Sequence, residues 1–244
     1  MDPKIEQSKY QSFKWTGSKW LIAKDIIPLL PTKGKTYFEP FLGGGAILIN
    51  AIPYFRKSVA GDIYEPLINL WELIKRNPKE IDIKYRSLWN KLEDEVSNIV
   101  LDRDRGKGLP KVYYQTREKF NKSKDPFSLL FLTKTCLNGV IRFSSKGDFN
   151  NSFHHGRLGQ KPDTFSKCVH NLSKHINSKK NEKINLIQNK SFELSIFLSL
   201  PASLAIIIAS EQITSSLFGY GSFDLVSVKN SAKALFYFSF GLPA

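Results

Sequence analysis

The sequence predicts an α/β fold with a parallel sheet, because apolar strands alternate with helices over residues 12–75. Thr36–Phe41 forms the first predicted strand, and Ser58–Ile63, the sequence SVAGDI, forms the second. Helical patterns follow both strands, from about Ala46 and over Glu65–Lys75. Strands that alternate with helices of this length are typical of parallel sheets.

Composition favours a polyanionic partner. The chain of 244 residues can form one domain, or one domain with an insertion, and 41% hydrophobic residues suffice for a core. Lys and Arg outnumber Asp and Glu by 36 to 22, for a net charge of +14. This balance favours nucleic acid before membrane, although a basic, merely solvated surface stays an alternative. Cys136 and Cys168 fit no metal-ligand spacing.

The chain ends indicate a cytoplasmic, nucleoid-associated protein. The first 15 residues, MDPKIEQSKYQSFKW, lack the apolar core of a signal peptide. The longest apolar-rich run, Ile196–Ile208, is too short to span a bilayer and contains Pro201. We therefore expect a monomer with no membrane partner.

The middle of the chain, residues 76–180, has a different character. It is highly charged and begins with helical patterns. Apolar runs then flank Ser144–Gly147 within Asn138–Arg157, the sequence NGVIRFSSKGDFNNSFHHGR. Apolar runs around such a turn predict a β-hairpin.

Charge nearly disappears near the C-terminus. Residues 194–244 contain four charged residues, whereas the first 193 contain the other 54. These four are Glu211, Asp224, Lys229 and Lys233. Serine becomes more frequent over the same stretch. So abrupt a change suggests a frame-shifted or degraded tail.

Three consecutive glycines follow the first predicted strand, in TYFEPFLGGGAIL. Glycine lets the backbone turn tightly and approach a ligand, and the start of the next helix offers unpaired N–H groups. Asp62 lies 17 residues beyond Gly45, at the end of the second strand, where a carboxylate can bind a ribose. The pattern suits an adenosine-containing cofactor, and a plain helix-entry loop is equally compatible with the glycines alone.

Further motifs give the glycines a context. The chain contains KWTGSK at Lys14–Lys19, EPFLGGG at Glu39–Gly45 and Gly61-Asp62-Ile63. With the hairpin sequence, these motifs resemble the Dam-type adenine-N6 DNA methyltransferases over about residues 12–192.

The resemblance implies a fold with three parts. We expect a Rossmann-like S-adenosylmethionine-dependent methyltransferase sheet with a helical and β-hairpin DNA-recognition insertion. Residues 12–75 would form the first half of the core and 76–180 the insertion. Residues 181–244 would form a divergent and incomplete second half.

The resemblance also implies a cofactor site for S-adenosylmethionine. Trp15 and Lys19 would contact the cofactor, which without the family would be a partly buried aromatic and a solvated cation. Asp62 would hold the ribose, and Glu39 would position the methionine end through neighbouring groups. The full expected set is Trp15, Lys19, Glu39, Phe41, Gly43, Gly45 and Asp62.

Duplex DNA is the expected partner of the middle part. Arg142 is the candidate for reading a base edge, since guanidinium can pair bidentately with guanine. Lys146 and Arg157 are expected to contact phosphates. An ordinary cationic surface hairpin stays the alternative. His154 and His155 lack partner ligands, so no metal site is expected.

The catalytic motif of the family is missing. Members carry Asp-Pro-Pro-Tyr after a later strand, and no DPPY or NPPY occurs in this chain. If Leu200–Ile208 were that strand, Ala209, Ser210, Glu211 and Gln212 would occupy the motif's position. These residues cannot replace the acceptor and the stacking ring. The sequence therefore predicts a methyltransferase with impaired activity, a non-catalytic DNA-binding or regulatory relative, or a generic nucleotide-binding α/β enzyme.

Overall fold

The computed structural model describes residues 7–31, 34–98, 109–178, 188–221 and 223–240. The chain divides into two compact units, Met1–Gln188 (unit 1) and Asn189–Ala244 (unit 2). Residues 181–187, the start of the predicted third part, lie outside the described ranges. No finding decides the predicted boundaries at 75 and 180, which stay predictions.

The described part of unit 1 is mostly helical, with one small sheet. Three short 3₁₀ segments, Ile27–Leu29, Ile52–Tyr54 and Leu137–Gly139, connect longer elements. In chain order the other elements are α1 (Gln7–Tyr10), α2 (Ala23–Ile26), β1 (Gly34–Glu39), α3 (Ala46–Ala51), β2 (Phe55–Ala60), α4 (Glu65–Arg76), α5 (Pro78–Asn98), α6 (Lys111–Ser123), α7 (Pro126–Thr135) and α8 (Pro162–Asn177).

The two strands confirm the α/β prediction at a coarse level. β1 and β2 pair in parallel, with Thr36 opposite Lys57 and Glu39 opposite Ala60. Within the described residues the sheet has only these two strands, so the Rossmann-like arrangement stays a proposal. β1 ends two residues earlier than predicted because Pro40 has no N–H to donate to a ladder.

One hydrophobic core holds unit 1 together, and α7 lies inside it. Eight of its ten residues are buried, as expected for a helix that is apolar all round. Helices α4 and α6 pack against α7, and α8 packs against α4 and α5. The rings of Tyr85 and Phe165 stack with centroids 3.9 Å apart, joining α5 to α8.

The predicted hairpin is present as two isolated antiparallel bridges. Cys136 pairs with Phe153, and Phe143 pairs with Phe149. Gly147 adopts a φ of +78° at the turn. Phe149 and Phe153 are almost fully buried, so their side chains attach this loop to the core.

Unit 2 contains two helices in its described residues, and they correct two predictions. α9 spans Gln188–Phe218 and α10 spans Leu225–Ser239. The predicted strand at Leu200–Ile208 is wrong, because these residues lie inside α9, which includes Pro201. The β-branched isoleucines imitate a strand only while the run is read as short.

The length estimate for the apolar run is also wrong. The apolar part of α9 continues past Ile208 to Phe218, giving 23 residues with a mean hydropathy of 1.7. By length and composition alone, this is one helix among the described residues that could cross a membrane.

Candidate functional site

A cavity of about 270 Å³ lies where β1 and β2 end. Because the strands are parallel, the loops after them meet at the same sheet edge, where α/β proteins bind ligands. The lining comprises 15–19, Glu39, 41–47 and Asp62. Every residue predicted to bind the cofactor therefore lines this cavity, although its role stays a prediction.

Asp62 fixes the glycine loop through its carboxylate. The N–H of Gly43 donates to Oδ2 of Asp62 at 2.9 Å, and the N–H of Tyr64 donates to Oδ1 at 3.1 Å. An ionised carboxylate accepts about four hydrogen bonds. Asp62 can therefore hold the loop and still accept bonds from the hydroxyls of a ligand.

Trp71, which the sequence analysis did not identify, supports the loop from below. Its Nε1–H donates to the carbonyl oxygen of Gly43 at 3.0 Å. A Cβ at Gly45 would lie 2.4 and 2.5 Å from two atoms of the Trp71 ring, and Gly45 has a φ of +65°. Only glycine fits there without displacing the indole. This contact joins positions 26 residues apart in sequence, and no local pattern indicates it.

The N-terminal segment forms the other wall of the cavity. A Cβ at Gly43 would approach Cδ1 of Trp15 at 3.1 Å, so the loop passes close to this indole. The ring of Trp15 lies 6.0 Å from that of Tyr64, centroid to centroid. Lys19 is exposed at the cavity lining. The structure therefore brings Trp15 and Lys19 to the glycine loop, as the resemblance predicts.

Glu39 carries a strongly perturbed carboxyl group. Loss of solvent raises its pKa to about 8, and the negative charge of Asp62 acts in the same direction. The hydroxyl of Tyr37 donates to Oε2 of Glu39 at 3.2 Å, which opposes the rise only in part. A cationic group in this cavity would favour the ionised form of Glu39.

Stability should depend on pH through Glu39. Its pKa is higher in the folded chain than the ordinary 4.5, so its stabilising contribution is fully present below pH 4.5 and is lost as the pH rises through about 8. We expect Glu39→Gln to flatten the fall in melting temperature of unit 1 between these pH values. Thermal unfolding at a series of pH values measures it, with Glu80→Gln on the exposed face of α5 as control. An unchanged slope in Glu39→Gln would refute this assignment.

The predicted DNA-contacting residues all lie on the surface. Arg142, Lys146 and Arg157 are exposed on the hairpin loop and the segment after it. Their roles stay predictions. The N–H of Ile141 donates to Oγ1 of Thr16 at 3.1 Å, so the hairpin is tied to the segment that lines the cofactor cavity.

A second cavity, of about 430 Å³, adds two cations that sequence reasoning missed. Lys14 and Lys134 line it together with His154 and Arg157. Nζ of Lys134 donates to Oε1 of Gln160 at 2.8 Å, and burial lowers the pKa of Lys134 to about 7. Lys14 was visible within KWTGSK, whereas Lys134 lies in an apolar helix and gave no signal.

The structure brings no catalytic tetrapeptide to this site. Ala209, Ser210, Glu211 and Gln212 lie within α9, at a kink where Ala209 has φ −112°, and not at a strand end. Their predicted equivalence with the missing motif loses the strand on which it depended. Among the described residues, no group of three or more His, Cys, Asp or Glu could hold a metal ion.

Comparisons with known proteins match the two ends of the chain differently. The sequence model of the D12 class N6 adenine-specific DNA methyltransferases matches residues 15–197. A sequence model of the lipid II flippase MurJ matches residues 168–244, about a third of the chain.

Individual relatives match the first part. A DNA adenine methylase of Escherichia coli K12 is 34% identical over 144 residues, covering 57% of this chain and 46% of the relative. The type II methyltransferase M.MjaIII of Methanocaldococcus jannaschii is 34% identical over 56% of this chain and 49% of its own length. A DNA adenine methylase of Haemophilus influenzae is 31% identical over 63% and 49%. The matched part of the chain thus spans about half the length of these relatives.

Proposed function

The chain belongs to the family of D12 class N6 adenine-specific DNA methyltransferases, and on this premise we propose that unit 1 binds S-adenosylmethionine and duplex DNA for methyl transfer to adenine N6. One observation carries the proposal. The N-terminal KWTGSK segment, the glycine loop and Asp62 are separate in sequence, yet they surround one cavity. A plain helix-entry loop would not require this convergence.

The residues of the cavity fit the proposed cofactor. Asp62 would accept hydrogen bonds from the ribose hydroxyls, and Gly43 and Gly45 allow close backbone approach. Trp15 and Phe41 offer aromatic surface, and Glu39 offers a carboxyl group near the methionine end. S-adenosylmethionine would supply an electrophilic methyl group bound to a sulfonium. Lys19, at the rim, would contact its carboxylate end.

Duplex DNA would bind at the hairpin. Arg142 would read a guanine edge, while Lys146 and Arg157 would contact phosphates, which orient the duplex without specifying sequence. An adenine inside the stack cannot present its amine to a methyl donor, so the base must be flipped out. The net charge of +14 supports a polyanionic partner.

Removing the guanidinium of Arg142 should relax sequence preference. We expect Arg142→Ala to reduce discrimination between cognate and mismatched duplexes by about 1–3 kcal/mol. Lys146→Ala is the matched control, because it should weaken all duplexes alike and reduce the salt dependence of binding by about one phosphate contact. Fluorescence anisotropy titrations at several salt concentrations measure both. Equal effects of the two substitutions on every duplex would remove Arg142 from base readout.

Turnover should be slow in this chain. The family's Asp and Tyr are absent from the sequence, so nothing replaces the acceptor for the amine proton or the ring that stacks on the flipped base. Losing such groups costs about a thousandfold or more in rate. The alternative is a non-catalytic DNA-binding or regulatory relative. A generic nucleotide-binding enzyme would leave the hairpin and the positive charge without a use.

A methylation-sensitive restriction digest separates these functions. Plasmid DNA recovered from cells that express the chain is cut with enzymes blocked by N6-methyladenine. Partial protection that accumulates over hours supports a slow methyltransferase. Salt-dependent DNA binding without any protection supports the non-catalytic relative. Rapid, complete protection would contradict the inferred loss of the catalytic acceptor.

We further propose that unit 1 acts as a monomer in the cytoplasm, at the nucleoid, because its proposed substrates are found there. Size-exclusion chromatography with light scattering tests the monomer, and a stable dimer would contradict it.

A further inference from the structure

Helix α9 presents large apolar side chains to its surroundings. In the stretch Ile196–Phe218, only 11% of the most apolar window is buried. Phe197 is 71% exposed and Ile208 is 78% exposed. A core helix would be mostly buried, and a signal sequence would lie near the N-terminus, so neither explains this stretch.

The buried residues of unit 2 are comparatively small, the reverse of a water-soluble domain. They are Ser203, Thr214, Val228, Ala232 and Ser239. Large exposed residues of α10 lie near its two ends, and they include Leu225, Val226, Tyr237 and Phe238. Small residues inside and large apolar residues outside is the arrangement that suits helices surrounded by lipid.

The polar groups of α9 are compatible with an apolar solvent. Glu211 is the only charged residue in Ile196–Phe218. The hydroxyl of Thr214 donates to the carbonyl oxygen of Ser210 at 2.8 Å, one turn earlier in the helix. A hydroxyl satisfied by its own helix loses little on leaving water. Pro201 is also tolerated in helices that cross membranes.

The length and the flanking charges of α9 indicate a direction. Twenty-three helical residues span about 35 Å, against roughly 30 Å for the hydrocarbon core of a bilayer. Five lysines precede the apolar stretch, at 174, 179, 180, 183 and 190, opposed by Glu182 and Glu193. After Phe218 only two lysines follow, Lys229 and Lys233. Lysine-rich flanks stay on the cytoplasmic side and attract anionic headgroups.

We propose that α9 inserts across a lipid bilayer with its lysine-rich N-terminal flank in the cytoplasm, so that unit 1 is anchored to a membrane. The anchor would hold a DNA-binding unit in the compartment that contains DNA.

Vesicle flotation of the full chain tests the insertion. The chain is reconstituted with vesicles of phosphatidylethanolamine and phosphatidylglycerol and centrifuged through a density gradient. We expect it to float and to resist extraction by alkaline carbonate. Leu204→Lys combined with Ile208→Lys should move most of the protein to the soluble fractions, since a central lysine costs about 2.5–3.5 kcal/mol on insertion. Circular dichroism of this variant reports whether its helices persist.

A matched substitution outside unit 2 controls for added charge. Ile83 lies on α5 and is 69% exposed, so Ile83→Lys should leave flotation unchanged. A wild-type chain that stays soluble as an oligomer, or is released by carbonate, overturns the proposal. Flotation of the double-lysine variant at the wild-type level, with its helices retained, also overturns it.

Protease protection tests the direction. Trypsin should cleave the lysine-rich flank only in vesicles with their cytoplasmic face outward. Cleavage only from the opposite side would overturn the inferred orientation.

Discussion

Replacing Asp62 by alanine is expected to reduce the affinity for S-adenosylmethionine by about a hundredfold. The substitution removes the acceptor proposed for the ribose, and hydrogen bonds to a charged group contribute about 1.5–3 kcal/mol. It also releases the N–H groups of Gly43 and Tyr64, so the loop loses its fixed shape. Isothermal titration calorimetry on the full chain in detergent micelles measures the change.

Two further variants make this result specific. Asp62→Asn keeps one oxygen acceptor but offers an amide nitrogen to the second backbone donor, so it should bind more weakly than wild type and more tightly than Asp62→Ala. Asp163→Ala removes an exposed carboxylate that pairs with Arg86, and it should leave the affinity unchanged. Wild-type affinity in Asp62→Ala would show that this carboxylate does not contact the ligand.

Replacing Gly45 by alanine is expected to destabilise unit 1 by about 2–4 kcal/mol. The new Cβ would overlap the Trp71 ring, and inserting a methyl group into a packed core costs about 1–3 kcal/mol. A left-handed backbone adds about 1–2 kcal/mol for a non-glycine residue. Urea unfolding, followed by tryptophan fluorescence, measures the loss. Cofactor affinity should fall as well, because Trp71 also donates to Gly43.

Gly17 provides a matched control for the backbone contribution. It has a φ of +78°, and a Cβ there would meet nothing within 4 Å. Gly17→Ala should therefore cost only the left-handed strain. If the two alanine variants are destabilised equally, the contact with Trp71 is not what requires glycine at position 45.

The cofactor cavity could be predicted largely from the sequence. Glycines between two apolar elements, and a carboxylate after the next strand, obey local rules about turns and strand ends. The support for the loop could not be predicted, since Trp71 reaches Gly43 through tertiary packing. The raised pKa of Glu39 also depends on burial, which the isolated motif EPFLGGG does not reveal.

The C-terminal helix is where sequence reasoning was wrong. Leu200–Ile208 has the length and β-branched residues of a buried strand, and short apolar runs do not distinguish strand from helix. The helical continuation through Gln212 to Phe218 decides the matter. Neighbouring polar residues concealed it, because their hydroxyls bond within the helix and cost little.

The frame-shift hypothesis for the tail stays open to a direct test. The match of residues 168–244 to a second family model favours a tail with its own origin over a random reading frame. Reading the coding DNA separates the two. Codons for Asp-Pro-Pro-Tyr in another frame would support the frame shift, whereas synonymous drift in the present frame among related genes would exclude it.

The most direct test of the cofactor cavity is a calorimetric titration of the wild-type chain with S-adenosylmethionine and, separately, with ATP. Both ligands carry an adenosine, but only one carries the sulfonium and methionine that Glu39 and Lys19 would recognise. We expect one S-adenosylmethionine to bind per chain, at least tenfold more tightly than ATP. Equal affinities, or no binding of S-adenosylmethionine, would contradict the assignment of this cavity to a methyl donor.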